Sequence, residues 1–477
     1  MPKNYKLVLV QPSTHEGVQS LFTFHKKKGL GAKPPLGIMT LATYLISRGF
    51  AGVSCLDAQL DQLSPEETVA QLAALKPDLV GITVWTDFWY PCFKTIKLLK
   101  QRLPGCKVVL GGPHCAIYPF ESLENSGADF LVAGDGEDTL LGLAEALDAG
   151  APVGDFPGLW RNEEGKIQAP SEPLAVIKDL GRIPPPDRRL LPYERYGSVL
   201  NPRDFETTMV TSRGCPFKCV FCKIYSQNVC IRPAEQVIEE FREIAALGIK
   251  DIQVYDDTFT WSKKRVMEIC RGILDLGLEV RWAVRDRVNK ADREMYHLMK
   301  RAGCYRIHFG VESGSRPILA ATGKAITLEE AERAVALAKD AGFDTLAYYM
   351  FGFLDETYKD ALATIAFSLK LDTDYAVYAV LIPYPGTKIY EKALERGLFS
   401  HDFWREFVKN PVPDFQVRLL EQNLDRATLL KLNNLAMRRF YFRPGRIAKE
   451  LWELRSFTEL GRKTAMVWNM VTDLLKR

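Results

Sequence analysis

The stretch Ser212-Arg213-Gly214-Cys215-Pro216-Phe217-Lys218-Cys219-Val220-Phe221-Cys222 crowds three cysteines into one short loop. An apolar, β-branched run over 207–212 leads directly into it, so the loop sits at the carboxyl end of a strand. Barrels of parallel strands place their reactive groups at that end. Three thiolates can hold three irons of a 4Fe–4S cluster, and the fourth cysteine of a closed cluster is missing here. One iron is therefore left open to a further ligand. A structural zinc takes four closed ligands, typically as two pairs, which this spacing does not supply. The plainer alternatives are three coincidental cysteines or a zinc completed by a distant histidine.

Working outward, the apolar runs 249–255, 279–284, 305–311, 345–351 and 375–382 read as further strands, with amphipathic helices between them. In the helix after the cysteine loop, Val237, Phe241, Ile244 and Ala245 share one face. Gly248, Gly277, Gly303 and Gly342 stand where helices should stop, since glycine takes the left-handed cap without a Cβ penalty. Six such units over 206–400 make a partial (βα)6 barrel with an open side. Upstream, the runs 6–12, 53–58, 79–85, 107–113 and 130–136 alternate with helical patterns and show little polar alternation. That suits parallel strands buried on both faces, hence a doubly wound, Rossmann-like α/β domain over 1–150. Between them, 151–205 mixes Pro, Gly and charge, and reads as a linker draped over the surface with a hairpin near 159–167. Residues 401–477 read as a helical, basic C-terminal region that caps the open side of the barrel.

The bulk numbers agree with an ordinary soluble globular protein of several domains. The 477 residues exceed one compact core, and 63 basic against 59 acidic residues give a net charge of +4. That surplus is too small to argue for nucleic acid. No run reaches the length of a membrane span and the N-terminus lacks a signal peptide pattern, so a cytoplasmic location is expected. The other seven of the ten cysteines are scattered, and one tight cluster in a cytosolic chain suggests metal or redox chemistry rather than a disulfide framework.

The cysteine spacing, with the aromatic Phe221 before the third cysteine, resembles the radical S-adenosylmethionine (SAM) superfamily. The resemblance implies that Cys215, Cys219 and Cys222 ligate the cluster and that SAM chelates the open iron. It implies SAM contacts from Phe221, from Asp256 and Asp257 after the second barrel strand, from Arg285 on the third, and from Glu312 and Ser313 after the fourth. Asp256-Asp257-Thr258 stands where the family often has Gly-Gly-Glu, and Leu354-Asp355 where it has Pro-Gly. A doubly wound domain before such a barrel is similar to the cobalamin-binding radical SAM enzymes, as are Lys33-Pro34-Pro35-Leu36-Gly37 and Gly111-Gly112-Pro113-His114. Those enzymes imply cobalamin contacts at Gly111, Gly112, Pro113, His114, Gly134, Gly136 and Glu137. No Asp-x-His-x-x-Gly motif is present, so the cobalt is expected without a protein histidine; His15 and His114 are the candidates against that expectation.

The function so implied is radical methylation of an unactivated carbon in a small-molecule or lipid-like substrate, with an external electron donor such as flavodoxin or ferredoxin. A radical cyclase or rearrangement enzyme without methyl transfer has the same plan, as in anaerobic magnesium-protoporphyrin monomethyl ester cyclase. A cobalamin-binding sensor or carrier would not need the three cysteines. The basic, aromatic segment 443–477 leaves membrane contact open beside a solvated amphipathic face.

Overall fold

The computed structural model describes residues 3, 5–18, 32–197, 205–224 and 226–445. Strands β1 (Leu7–Gln11), β2 (Val53–Asp57), β3 (Leu79–Thr83), β4 (Lys107–Gly111) and β5 (Phe130–Val132) are parallel and ordered 2-1-3-4-5. Their runs are continuously apolar because alternate residues serve two cores. Val8 and Val10 pack on one face of the sheet, Leu7 and Leu9 on the other. Helices α1 (Leu36–Ser47), α2 (Pro65–Leu75), α3 (Trp89–Arg102), α4 (Pro119–Ser126) and α5 (Glu137–Asp148) follow the strands in turn. The order reverses between β1 and β3, and doubly wound sheets bind ligands beyond the carboxyl ends at that switch.

The segment after α5 does not drape loosely over the surface. The expected hairpin forms as β6 (Leu159–Glu163) and β7 (Lys166–Gln168), and β6 pairs antiparallel with β5, extending the sheet to seven strands. The chain then runs as a strap with Ala175, Ile177, Leu180 and Ile183 buried. These apolar residues lie singly among Pro, Gly and charge, so no periodicity announces them.

The second sheet holds β8 (Glu206–Met209), β11 (Asp251–Val254), β12 (Arg281–Asp286), β13 (Cys304–Glu312), β14 (Asp344–Phe351) and β15 (Tyr375–Val380), all parallel and in chain order. β8 and β15 are its two unpaired edges, so it is the expected partial barrel. A short ribbon, β9 (Ser212–Arg213) with β10 (Cys230–Ile231), clasps the base of the cysteine loop. Helices α6 (Ala234–Ala246), α7 (Lys263–Asp275), α8 (Arg293–Arg301), α9 (Arg316–Ala321), α10 (Leu328–Asp340) and α11 (Tyr358–Leu371) cover the outside. The glycines expected at helix ends take positive φ: 74° at Gly248, 60° at Gly277, 91° at Gly303 and 80° at Gly342.

Helix α12 (Lys388–Glu395) precedes the region 401–477 expected to cap the open side, and within that region the described helices α13 (Phe403–Lys409) and α14 (Arg426–Tyr441) pack elsewhere. Helix α14 lies outside β15, with the Phe440 ring edge-on to Tyr378. Helix α13 drives Phe403, Trp404 and Phe407 into the core shared with the first sheet, where Trp89 Nε1 donates to Val408 O at 3.0 Å. These residues are apolar on the side that meets the first domain, so burial there outweighs covering a polar barrel mouth. The basic segment from 446 onward lies outside the described residues. Among the described residues no helix is long and apolar enough to cross a membrane.

Candidate active site

The cysteine loop is held by its backbone. Gly214 sits at φ 92°, and a Cβ there would lie 2.3 Å from Asn228 O, so only glycine lets the chain double back. Cys215 N donates to Ser226 O (3.2 Å) and Val220 N to Thr322 O (2.9 Å), while Val220 O accepts from Ile389 N at 2.9 Å. Cys215 is buried, Cys219 half-buried and Cys222 the most open. Although its outer side is open, the protein packed behind Cys222 withdraws it from bulk water, and this, then Cys219, Asp257 and Cys215, push its thiol up to about 11. Each thiolate therefore opposes the next unless positive charge sits among them, which is what iron supplies. Among the described residues no three His, Cys, Asp or Glu side chains stand gathered in metal-binding geometry, so the sulfurs must draw together on the metal. The donor chemistry fits the cluster, and the other cysteines lie apart: Cys92, Cys106, Cys115, Cys270 and Cys304 are buried in cores, Cys55 meets Ile38 O, and Cys230 faces Lys178 O.

Around the loop the expected residues divide. The Phe221 ring packs edge-on to Phe353 at 5.9 Å, beside the cluster position. Asp257 faces the loop, accepting from the Gly214 backbone. Asp256, expected as a SAM contact, is engaged within the protein instead. It is buried and accepts from Thr211 N (2.5 Å), Thr211 Oγ1 (2.5 Å) and Ser212 Oγ (2.7 Å), bracing the strand that launches the loop. Ser313 is likewise spent on structure, since its hydroxyl meets Thr364 Oγ1 at 3.0 Å and accepts from Ser315 N. Glu312 closes β13 at φ 71°, a conformation costly for a non-glycine residue, and its carboxylate pairs with buried Lys324. Gly310 leaves the room this needs, for a Cβ there would meet Lys324 Nζ at 2.2 Å.

Arg285 lies over the Tyr255 ring at 4.0 Å, inside the barrel. The cation at the cysteine loop is instead Arg287, two residues on. Its guanidinium sits 3.5 Å from the Phe217 ring centre and 4.0 Å from Cys219 Sγ, and it also donates to Lys324 O. Sequence reasoning missed Arg287 and Lys324, because only the fold brings them to the cysteines.

In the first domain, a cavity of about 350 Å³ opens between β1, β3, β4, β5 and α1 and the strap. Gly37, Gly81, Gly111, Gly112, Gly134 and Gly136 line it, with Glu137. A Cβ added at Gly37 or Gly111 would meet nothing within 4 Å, so these glycines edge a cradle. The volume suits a nucleotide-sized group, such as the tail of a cobalamin. Pro113 and His114 are not part of this lining. His114 is buried; its Nδ1 meets Thr86 Oγ1 at 3.1 Å, its Nε2 meets Ser122 Oγ at 3.2 Å, and its ring stacks on Trp89. Burial pushes it down to about 3. Both ring nitrogens are engaged, so His114 is a core histidine and not a cofactor contact.

One residue joins the two regions. Arg213, two positions before Cys215, lines the cavity and donates to Asp135 Oδ1 (2.9 Å) and Glu137 Oε1 (2.6 Å). The glycine-lined cradle and the cysteine loop are thus fixed to each other by a two-pronged ion pair.

A doubly wound domain with a glycine-edged cavity, locked to a six-stranded barrel with a three-cysteine loop, defines a radical SAM enzyme with a cobalamin-binding domain. Family models agree: residues 209–368 match the radical SAM superfamily and residues 30–144 the B12 binding domain. The chain is 35% identical over 462 residues to an uncharacterized methyltransferase of Pyrococcus horikoshii, covering 95% of this chain and 96% of that one. It belongs to that family, whose cofactors are SAM, a 4Fe–4S cluster and cobalamin. It is also 29% identical over 399 residues to the anaerobic magnesium-protoporphyrin IX monomethyl ester cyclase of Rubrivivax gelatinosus, covering 81% of this chain and 70% of that one. The fold matches the radical SAM methyltransferase TsrM of Kitasatospora setae with a TM-score of 0.69 at 24% identity, over 82% of this chain and 76% of that one.

Proposed function

We propose that this enzyme methylates an unactivated carbon of a small molecule, drawing electrons from an external carrier such as flavodoxin or ferredoxin. The observation that carries the reading is Arg213, which ties the cradle in the first domain to the loop of Cys215, Cys219 and Cys222. When bound, the cluster and SAM supply a 5′-deoxyadenosyl radical, and cobalamin supplies a methyl group. The chain's own work is placement and exclusion of water. Cys215, Cys219 and Cys222 would hold the iron, with Arg287 against Cys219. Lys324 and Glu312 would meet the polar end of SAM from the end of β13. Gly37, Gly111 and Gly134 would take the cobalamin tail. The relative from Pyrococcus horikoshii is named a methyltransferase, which favours methyl transfer.

A second reading, radical cyclisation or rearrangement, has support in the 29% identity to the cyclase. The test is anaerobic reconstitution with iron, sulfide and cobalamin, then SAM and reductant, with products followed by mass spectrometry. 5′-Deoxyadenosine that disappears in Cys219→Ala is expected, with S-adenosylhomocysteine beside it. 5′-Deoxyadenosine without S-adenosylhomocysteine would move the reading to cyclisation. Neither product, with the cluster loaded and candidate extracts supplied, would contradict both.

A further inference from the structure

The inside of the barrel carries a row of side chains apart from the cysteine loop and the glycine cradle. On β12 to β15, Val284, Ile307, Phe309, Tyr349 and Tyr378 turn outward into the core beneath the helices. Strand alternation turns their neighbours Arg285, His308, Tyr348 and Val377 inward, together with Tyr255 just after β11. Arg285 stands in register opposite His308, and Tyr348 opposite Val377. The hydroxyl of Tyr348 meets His308 Nδ1 at 3.0 Å. The row therefore crosses most of the barrel, next to the end that bears the cysteine loop and Glu312.

Arg285 is exposed to the interior. The other cations nearby are matched: Arg306 pairs with Asp344 at 3.2 Å and Lys33 pairs with Glu206. Among the described residues Arg285 forms no ion pair; it lies on the face of Tyr255 at 4.0 Å, also meets the Tyr255 hydroxyl, and acts on the Asp257 carboxylate at longer range. The local field is positive as well. Burial, and then Arg306, Arg285 and Lys33, push His308 down to about 3, so its ring stays neutral beside them. Val377, 40% exposed, and Tyr348 supply apolar wall farther along the row. A guanidinium held flat on a ring and bound in no ion pair, with Asp257 acting on it only at longer range, fits a planar or tetrahedral oxyanion.

We propose that Arg285 anchors the substrate, and that the substrate carries a carboxylate or phosphate on an apolar body lying against Tyr348 and Val377. This rests on the reading that the barrel interior is the substrate chamber. It names a substrate class, amphiphilic anions, that neither the cysteine loop nor the cobalamin cradle specifies.

The test is equilibrium dialysis of the reconstituted holoenzyme with benzoate, phenyl phosphate and neutral benzyl alcohol. At least one anion is expected to bind ten times more tightly than benzyl alcohol, and the better of the two tells carboxylate from phosphate. Arg285→Gln is expected to remove that preference while cluster and cobalamin absorbance stay at wild-type levels. Arg285→Lys, which keeps the charge without the fork, should retain part of it and serves as the second variant. Anions bound no better than benzyl alcohol would overturn the proposal. So would anion binding that survives Arg285→Gln in cofactor-loaded protein. A holoenzyme that binds anions through Arg285 but makes no 5′-deoxyadenosine would sink the radical reading and leave the anion site standing.

Discussion

Arg287 shows how one side chain can set the working point of a cofactor. Its guanidinium is clamped between the Phe217 ring and Lys324 O, with Cys219 Sγ at 4.0 Å. A cation beside a cluster favours the reduced, more negative state, so it raises the reduction potential. Arg287→Met is expected to shift the potential of the reconstituted cluster downward by on the order of 59 mV, a tenfold change for one electron. An EPR-monitored redox titration reads this; an unmoved potential would leave Arg287 as a loop clamp only. Glu356 makes a pH prediction. It is 1% exposed and accepts from Gly352 N and Phe353 N at the end of β14, yet burial pushes it up to about 7. The folded state thus binds a proton more tightly than the unfolded chain does. Its contribution is fully present below the ordinary glutamate value near 4.5 and is lost as pH rises through about 7. Melting temperature should fall over that window, by roughly 3 kcal/mol of stability at most, and Glu356→Gln should flatten the slope.

At the scale of elements, strands and helices were legible where periodicity was strong. The apolar runs became β1 to β5 and the barrel strands, and the four helix-ending glycines took left-handed φ. The hairpin was legible, but not its addition to β5, since register between distant segments leaves no local trace. The cysteine triplet was legible from spacing alone. Asp256 was legible as a position, not a role, because Thr211 and Ser212 claim its carboxylate only once β8 and β11 are paired. His114 stood in the right loop but turned into the core against Trp89. The strap gives a prediction at this scale. Gly134 has φ 101°, and a Cβ there would fall 2.1 Å from Ala175 O. Gly134→Ala should cost about 1–3 kcal/mol for the conformation alone, with more for the clash. Denaturant unfolding of the apoprotein measures it, and a loss under half a kilocalorie would show that the strap gives way easily.

Polar contacts cross between the two sheets at several points. Arg213 reaches Asp135 and Glu137, Lys33 reaches Glu206, and Tyr384 Oη donates to Asp87 Oδ2 at 2.8 Å. Helix α13 adds apolar weight through Trp404, whose Nε1 donates to Pro383 O at 2.9 Å. The cofactor edges of both sheets are thereby held face to face. Arg213→Met would leave Glu137, 2% exposed, without its cation. Breaking a fully buried pair from one side costs about 3–5 kcal/mol, and the part-exposed Arg213 brings the loss below that range. The variant should melt earlier and lose cobalamin on gel filtration while its cluster still loads. Retention equal to wild type would mean that the two domains hold together without this pair.

The most direct test of the central claim follows the methyl group. The reconstituted holoenzyme is given SAM with a trideuterated methyl and a reductant, and the bound cobalamin is then extracted and weighed. Deuterium label on the cobalamin is expected, with S-adenosylhomocysteine formed alongside it. Unlabelled cobalamin in a protein that still makes 5′-deoxyadenosine would contradict methyl transfer and leave a radical enzyme of another kind.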